Sequence, residues 1–146
     1  MSKSIDQFPS LSALLRQALG DALAPDAKTL LEMCAEDVVF EFPYHPPGFT
    51  ERLEGRAALE AYLPTVSKLI SIESVTLHQA FISAKGDMAA IEFSCKGHSP
   101  KTGTRYDQDY VSILELKDGR IARYRDYWNP LIVLSAIESA PSADTH

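Results

Sequence analysis

The segment YRDYWNP, residues 124–130, places one carboxylate, Asp126, between the rings of Tyr124 and Trp128 at a spacing of two residues. In a β-strand these three side chains share one face, and the neighbouring arginines lie on the other. Surrounding rings would disfavour the charged carboxylate and raise its pKa towards neutral pH. The pattern predicts that Asp126 is a general acid/base. The alternative is a structural acid, hydrogen-bonded to Tyr110 or paired with an arginine.

A second alternating stretch, residues 104–117, supplies polar groups that could accompany this acid. One of its faces carries Tyr106, Gln108, Tyr110 and Ser112 before it becomes plain core. A packed core does not need these polar atoms, whereas a ligand cavity does. We expect Gln108 and Tyr110 to donate hydrogen bonds to a carbonyl oxygen that gains negative charge as an enolate forms.

The facing of Asp126 depends on the hairpin at residues 117–119. A three-residue loop would place Tyr110 directly across from Asp126. A two-residue loop would instead place Tyr127 opposite Tyr110 and turn Asp126 to the other face. The aromatic neighbours of Asp126 favour the three-residue loop.

The elements that would position these residues follow from hydrophobic periodicity. The pattern predicts helices over residues 10–22, 26–35, 56–69 and 131–138, and strands over 37–43, 70–83, 88–98, 104–117 and 120–128. Segment 44–55 is predicted to be a loop rich in proline and glycine. Helices segregated from a strand meander indicate an α+β class in a single domain. We expect residues 10–138 to form this domain, with a disordered N-terminus over 1–9 and a disordered tail over 139–146.

Composition limits the classes of partner. The 146 residues carry a net charge of -6, which argues against nucleic acid or an anionic membrane as a partner. No apolar run is long enough to span a membrane, and the N-terminus lacks the apolar stretch of a secretory signal, so a cytoplasmic location is expected. Cys34 and Cys95 lie far apart in apolar surroundings and are interpreted as reduced core residues.

The chain resembles the SnoaL-like family in three motifs and in its closing helix. The motifs are FEFP, LEGRAALEAYL and YDQDYVSILELKDGRIARYRDYWNPL. This family belongs to the nuclear-transport-factor-two-like superfamily, which also includes ketosteroid isomerase, and the likeness covers residues 10–137. The resemblance implies a cone-shaped, curved mixed β-sheet wrapped around N-terminal helices, with a conical pocket opening near the end of the first strand. It also implies a homodimer that forms through the outer face of the sheet.

The resemblance carries over unevenly to individual residues. Ketosteroid isomerase has its general base at the end of the first strand, where FEFP has Phe42, and its oxyanion-hole acid falls near Ser112. Neither residue can replace those acids, which argues against steroid isomerisation by that mechanism. SnoaL-type polyketide cyclases use an aspartate on the last strand, and the matching position is Asp126.

These observations predict a site with Asp126 and Tyr110 as catalytic residues. The substrate would be a small, largely apolar organic molecule, and the reaction an isomerisation, cyclisation or dehydration without a cofactor. The alternative is a non-catalytic ligand-binding or accessory protein of the same fold. The histidines show no metal-ligand spacing, so no metal is expected. The residues predicted to contact the substrate are Gln108, Trp128, Tyr124, Phe42, Phe40, Tyr62, Phe93, Cys95, Ser112 and, at the mouth, His45.

Overall fold

A computed structural model describes the backbone of residues 6–143 and the side chains of residues 6–137. The α-helices of this part of the chain are α1 (Pro9–Leu19), α2 (Leu30–Met33), α3 (Arg56–Leu69) and α4 (Pro130–Ala143). The strands are β1 (Cys34–Glu41), β2 (Arg52–Glu54), β3 (Ser71–Ile82), β4 (Met88–His98), β5 (Gln108–Lys117) and β6 (Arg120–Trp128). None of the helices described is long and apolar enough to cross a membrane.

The six strands form one curved, unclosed mixed sheet in the order β2-β1-β6-β5-β4-β3. Strands β3 to β6 are the predicted antiparallel meander, and β1 joins β6 in parallel. The inner face packs on α1, α2 and α3, and this contact forms the main hydrophobic core. The predicted α+β class with a curved mixed sheet in a single domain is therefore confirmed.

Several predicted boundaries are wrong for local reasons. The loop over 44–55 contains the short edge strand β2, which is too short to show alternation. Helix α2 covers four residues rather than 26–35, because the capping box of Thr29 and Glu32 starts it late and Cys34 already begins β1. Strand β5 begins at Gln108, and residues 104–107 contribute only an isolated bridge through Arg105.

The structure describes backbone beyond both predicted ends of the domain. Asp6, in the segment expected to be disordered, accepts hydrogen bonds from the Phe8 N–H and the Ser12 hydroxyl and so supports the start of α1. Helix α4 extends through Ala143, beyond its predicted end at residue 138. The predicted disorder of residues 1–5 and 144–146 lies outside the described residues.

The β5–β6 hairpin has a two-residue turn, so the expected three-residue loop is wrong. Asp118 and Gly119 have φ angles of 54° and 79°, as in the tight turns that match the twist of paired strands. Lys117 pairs with Arg120 across this turn. The Gly119 carbonyl accepts a hydrogen bond from the Ala24 N–H at 2.9 Å, which attaches the turn to the segment between α1 and α2.

A β-bulge in β6 then corrects the facing of the strand. The pairing is Leu116 with Ile121 before the bulge and Glu115 with Arg123 after it, so Ala122 is the additional residue. Beyond the bulge, Asp126 pairs with Ser112 and Trp128 pairs with Tyr110. The predicted pairing of Tyr110 with Asp126 is therefore wrong, although Asp126 still shares the face of Tyr110 and Ser112. The bulge cancels the inversion that a two-residue turn alone would cause.

We expect Gly119→Ala to destabilise the protein more than Gly86→Ala. Both glycines have positive φ, where an L side chain costs about 1–2 kcal/mol. A Cβ at Gly119 would also lie 3.0 Å from the Ala24 nitrogen, whereas a Cβ at Gly86 meets nothing within 4 Å. The additional crowding should raise the loss at Gly119 by about 1 kcal/mol or more. Urea unfolding of both variants measures the difference, and equal losses would contradict the contact with Ala24.

Candidate functional site

A cavity of about 410 Å³ lies between the inner face of the sheet and the helices α1, α3 and α4. Its lining is predominantly aromatic and aliphatic. Among the lining residues that the structure describes, Asp126 is the only one with a carboxylate side chain, and none is a lysine, arginine or histidine. The aromatic residues of the lining are Phe8, Phe40, Phe42, Phe49, Tyr62, Phe93, Tyr106, Tyr110, Tyr124 and Trp128.

Asp126 lies at the centre of this aromatic wall on β6. Protein atoms enclose its carboxylate, and the side chain keeps partial access only because it faces the cavity. Burial raises the pKa of Asp126 to about 7, and a hydrogen-bonding contact with the Trp128 indole lowers it by a smaller amount. The carboxyl group can therefore both hold and release a proton near neutral pH.

The arginines of β6 do not neutralise Asp126. Arg123 and Arg125 project to the opposite face, where both pair with Glu41 at 3.0 Å and 3.1 Å. The Tyr110 hydroxyl is bonded to Tyr106 rather than to Asp126. Neither structural alternative for Asp126, an arginine pair or a bond to Tyr110, is found among the contacts of the described residues.

Two hydroxyl pairs surround the acid. The Tyr106 and Tyr110 oxygens are 2.7 Å apart, and either can be the donor. The Ser112 hydroxyl donates to the Tyr124 oxygen at 2.9 Å. Burial raises the pKa of Tyr106, Tyr110 and Tyr124, and the Asp126 carboxylate raises each of these pKa values further. These phenols therefore stay protonated at neutral pH and are available as hydrogen-bond donors.

Ring contacts fix the walls of the cavity. Phe93 stacks on Tyr110 with centroids 4.8 Å apart, and Phe40 stacks on Tyr124 at 4.4 Å. Both are cross-strand neighbours, so the sheet register itself brings the rings together. The nine predicted site residues that line the cavity are Asp126, Tyr110, Trp128, Tyr124, Phe42, Phe40, Tyr62, Phe93 and Cys95.

Three residues predicted to contact substrate are not among the residues that line this cavity. Gln108 uses its side-chain amide to donate to the Asn129 carbonyl and to accept from the Asn129 N–H, both at 2.9 Å, and so clamps the junction of β6 and α4. The Ser112 hydroxyl is buried behind the wall against Tyr124. The His45 imidazole Nδ1 lies 2.7 Å from the Phe42 carbonyl and so stabilises the loop after β1.

Other lining residues were not predicted as site residues. Tyr106 follows the same alternation as Tyr110, so its place on the inner face was readable, but its pairing with the Tyr110 hydroxyl was not. Phe8 and Phe49 come from the N-terminal segment and from a proline-rich loop, where no periodic pattern indicates direction. Helix α4 contributes Val133 and Ile137. Because most residues in the first half of this helix are apolar, the sequence did not indicate which of them face the cavity.

The two cysteines are buried free thiols. Burial raises the pKa of Cys34 to about 12 and also raises the pKa of Cys95, which lines the cavity. Thiols of this kind are poor nucleophiles because the thiolate is the reactive form. Within residues 6–143, no group of three histidine, cysteine, aspartate or glutamate side chains is placed to hold a metal ion.

Residues 16–124 match the family model described as the SnoaL-like domain. The chain belongs to the SnoaL-like family. The Bacillus subtilis protein YesE is 42% identical over 132 residues, which covers 90% of each chain. A PhzA/B-like protein from Pseudomonas aeruginosa is 35% identical over 118 residues, covering 81% of this chain and 83% of that protein.

Solved structures agree with this SnoaL-like assignment. A candidate isomerase from Bacillus subtilis has 41% sequence identity and a TM-score of 0.72, covering 90% of this chain and 95% of that chain. A candidate SnoaL-like polyketide cyclase from Jannaschia shares the fold at 16% identity with a TM-score of 0.65, covering 95% and 98%. An epoxide hydrolase from Mycobacterium tuberculosis shares it at 20% identity with a TM-score of 0.57, covering 94% and 93%.

We expect Asp126→Asn to stabilise this SnoaL-like protein at alkaline pH. The pKa of Asp126 is about 7 in the folded state, above the ordinary aspartate value of about 4 in the unfolded chain. The folded state then binds more protons between these values, so the free energy of unfolding falls as pH rises from about 4 to about 7. The variant lacks this fall and should exceed the parent by on the order of 2–3 kcal/mol at about pH 8.

The measurement is urea unfolding of both proteins across this pH range. The control is Asp37→Asn, an exposed acid of β1 that is expected to follow the parent within about 0.5 kcal/mol. A constant difference between Asp126→Asn and the parent at all pH values would show that Asp126 does not titrate differently in the folded state.

Proposed function

We propose that this protein binds a small, largely apolar organic molecule in the conical cavity and acts on it as an isomerase, cyclase or dehydratase that needs no cofactor. Asp126 is the general acid/base of this proposal. The observation that carries it is a single carboxylate without a protein counter-ion, whose pKa is raised to about 7, on the wall of an aromatic cavity. Groups with such pKa values are concentrated at functional sites.

The hydroxyl pair of Tyr106 and Tyr110 provides the second part of the chemistry. The two hydroxyls share one hydrogen bond, which leaves one proton of the pair for a ligand. Asp126 accepts a proton from the carbon next to a carbonyl, the C–H electron pair forms a C=C bond, and the C=O π pair moves to the oxygen. A tyrosine donor stabilises the resulting enolate oxygen. Return of the proton from Asp126 to a different carbon completes an isomerisation.

This mechanism differs from that of ketosteroid isomerase in the strand that supplies the base. Phe42 occupies the position of that base, and its ring lines the cavity and contacts the Tyr62 ring at 5.6 Å. Ser112 lies near the position of the oxyanion-hole acid, and its hydroxyl donates a hydrogen bond to the Tyr124 oxygen. Proton transfer therefore falls to β6, where SnoaL-type cyclases are expected to have their aspartate.

The comparisons support this proposal at two levels. The candidate isomerase from Bacillus subtilis, at 41% identity over most of both chains, makes isomerisation a suitable first reaction to test. The cyclase and the epoxide hydrolase share only the fold, so they support a cavity of this shape and not a particular reaction.

A homodimer in the cytoplasm remains part of the proposal. The outer face of the sheet carries a groove of about 590 Å³, and a second copy of the chain would cover it. The aromatic side chains at this groove include Tyr44, which is largely exposed, and Tyr127, which contacts it edge-on at 5.4 Å. Exposed aromatic residues are common at protein interfaces, which supports dimerisation through this face.

We expect the protein to accelerate exchange of the α-protons of β-tetralone with deuterium oxide. Asp126→Asn should lower this acceleration by at least about 100-fold, because an amide cannot take up the proton. Tyr110→Phe should lower it by about tenfold through loss of one enolate donor. Proton NMR follows the exchange, and Asp37→Asn is the control that should retain it.

The rival proposal is a non-catalytic ligand-binding protein of the same fold. It is favoured by the lack of a second carboxylate or imidazole in the lining of the cavity. Retained binding of β-tetralone with no exchange above the buffer rate would support this rival. Exchange that survives Asp126→Asn would remove Asp126 from the proposed role.

A further inference from the structure

The charges around the cavity are unbalanced. Among the described residues of the lining, Asp126 is the only carboxylate, and none of them is cationic. Arg123 and Arg125 on its own strand are directed to the other face and paired with Glu41. Arg120, at the start of the strand, pairs with Asp26. A carboxylate in an apolar wall without a counter-ion is unfavourable unless it is protonated or receives a cation.

The surroundings of this carboxylate suit a cation. Trp128 and Tyr124 flank it on β6, and the Asp126 charge acts on Tyr62 across the cavity and on Tyr110 beside it. The electron-rich faces of tryptophan and tyrosine attract organic cations. Tyr62, Tyr110 and Trp128 are half-buried lining residues, whereas Tyr106 and Tyr124 are buried, so the first three provide the aromatic surface that a ligand can contact.

We propose that the ligand of this cavity carries a cationic nitrogen, an ammonium or iminium group, that pairs with Asp126 among the aromatic rings. This inference rests on the proposed function, because it takes the same cavity as the ligand site. It specifies in addition that the substrate carries a positive charge. A carboxylate or phosphate ligand would meet a like charge and no cation, so the cavity selects against acids.

The energetics favour a cation for a structural reason. The protein has already removed the Asp126 carboxylate from water on folding, so the ligand gains a pre-organised partner and only its own ammonium must be desolvated. The net charge of -6 additionally draws cations towards the protein at low ionic strength.

The cation is also compatible with acid/base chemistry. With an iminium ligand, Asp126 would accept the proton from the carbon next to the C=N group. The C–H electron pair would then form a C=C bond, and the C=N π pair would move to nitrogen. The products are a neutral carboxylic acid and a neutral enamine, so two opposite charges disappear inside an apolar cavity. This transfer needs less help from an oxyanion donor than proton loss next to a neutral carbonyl.

Three ligands of matched size test the inference: naphthylmethylamine, naphthalenemethanol and naphthoate. Isothermal titration calorimetry at about pH 8 should give an affinity at least about tenfold higher for the amine than for the alcohol, and no measurable binding of naphthoate. Asp126→Asn should lower the affinity for the amine to that for the alcohol, and the affinity for the alcohol should not change. Asp37→Asn is the control and should leave all three affinities unchanged.

The rings are tested separately from the charge. Tyr62→Phe keeps the aromatic face and should retain the preference for the amine, whereas Tyr62→Leu removes the face and should weaken amine binding several-fold. Equal losses in both variants would show that the hydroxyl, not the ring, contacts the ligand, which contradicts this part of the inference.

The amine affinity should also depend on pH. The titratable side chains that face Asp126 are Tyr62 from α3, Cys95 from β4, Tyr106 and Tyr110 at β5, and Tyr124 on its own strand, all of them neutral around pH 7. The described lining residues of α1 and α4 are uncharged. Because protonated Asp126 cannot pair with the amine, we expect its affinity to fall about tenfold per pH unit below about pH 7.

The outcomes separate this inference from the proposed function. If amine and alcohol bind equally while Asp126-dependent exchange of β-tetralone is seen, the cationic class is wrong and the acid/base function stands. If the amine is preferred without any exchange, the cationic class stands and catalysis is wrong. If no ligand of any charge enters the cavity, both are wrong.

Discussion

The additional residue in β6, Ala122, is the constraint on which the candidate site depends. The turn at Asp118 and Gly119 would by itself pair Asp126 with Val111 and direct the carboxylate to the outer face. The bulge shifts the remainder of β6 by one residue, so that Asp126 instead lies opposite Ser112 on the inner face. Ile121, before the bulge, still points into the core. A regular strand could direct either Ile121 or Asp126 to the inner face, but not both residues.

The inward carboxylate opposes stability, and the surrounding fold must offset it. The offset comes from the same residues that make the site apolar. Phe40 stacks on Tyr124, and Phe93 stacks on Tyr110, so both walls beside Asp126 are built from cross-strand aromatic contacts. Gln108 holds the Asn129 backbone at both its N–H and its carbonyl and so fixes the end of β6. The acid therefore lies on a rigid strand, and its orientation does not depend on a loop.

The sequence predicted those features that repeat along the chain. Alternation over residues 88–98 and 120–128 predicted β4 and β6 with their observed bounds, and the spacing of apolar residues over 56–69 predicted α3. The facing of Asp126 was also predicted, but through a pairing with Tyr110 that does not exist. A bulge places one additional residue in a strand without requiring a particular residue type, so it leaves no mark in the alternation. Period alone therefore could not distinguish a three-residue loop from a two-residue turn followed by a bulge.

The residues outside regular strands were harder to predict for a related reason. Gln108 lies on the predicted inner face, yet its amide is used by the backbone of a residue 21 positions away, a contact that no local pattern encodes. Phe49 reaches the cavity from a loop whose path is set by tertiary packing. The alternation therefore predicted the inward facing of Asp126 and of most rings beside it, whereas the residues that close the cavity are placed by long-range contacts. In the proposed function the acid lies on β6, whereas Phe42 follows β1, so a proton would reach the ligand from a different strand than in ketosteroid isomerase, and one fold could then carry different reactions.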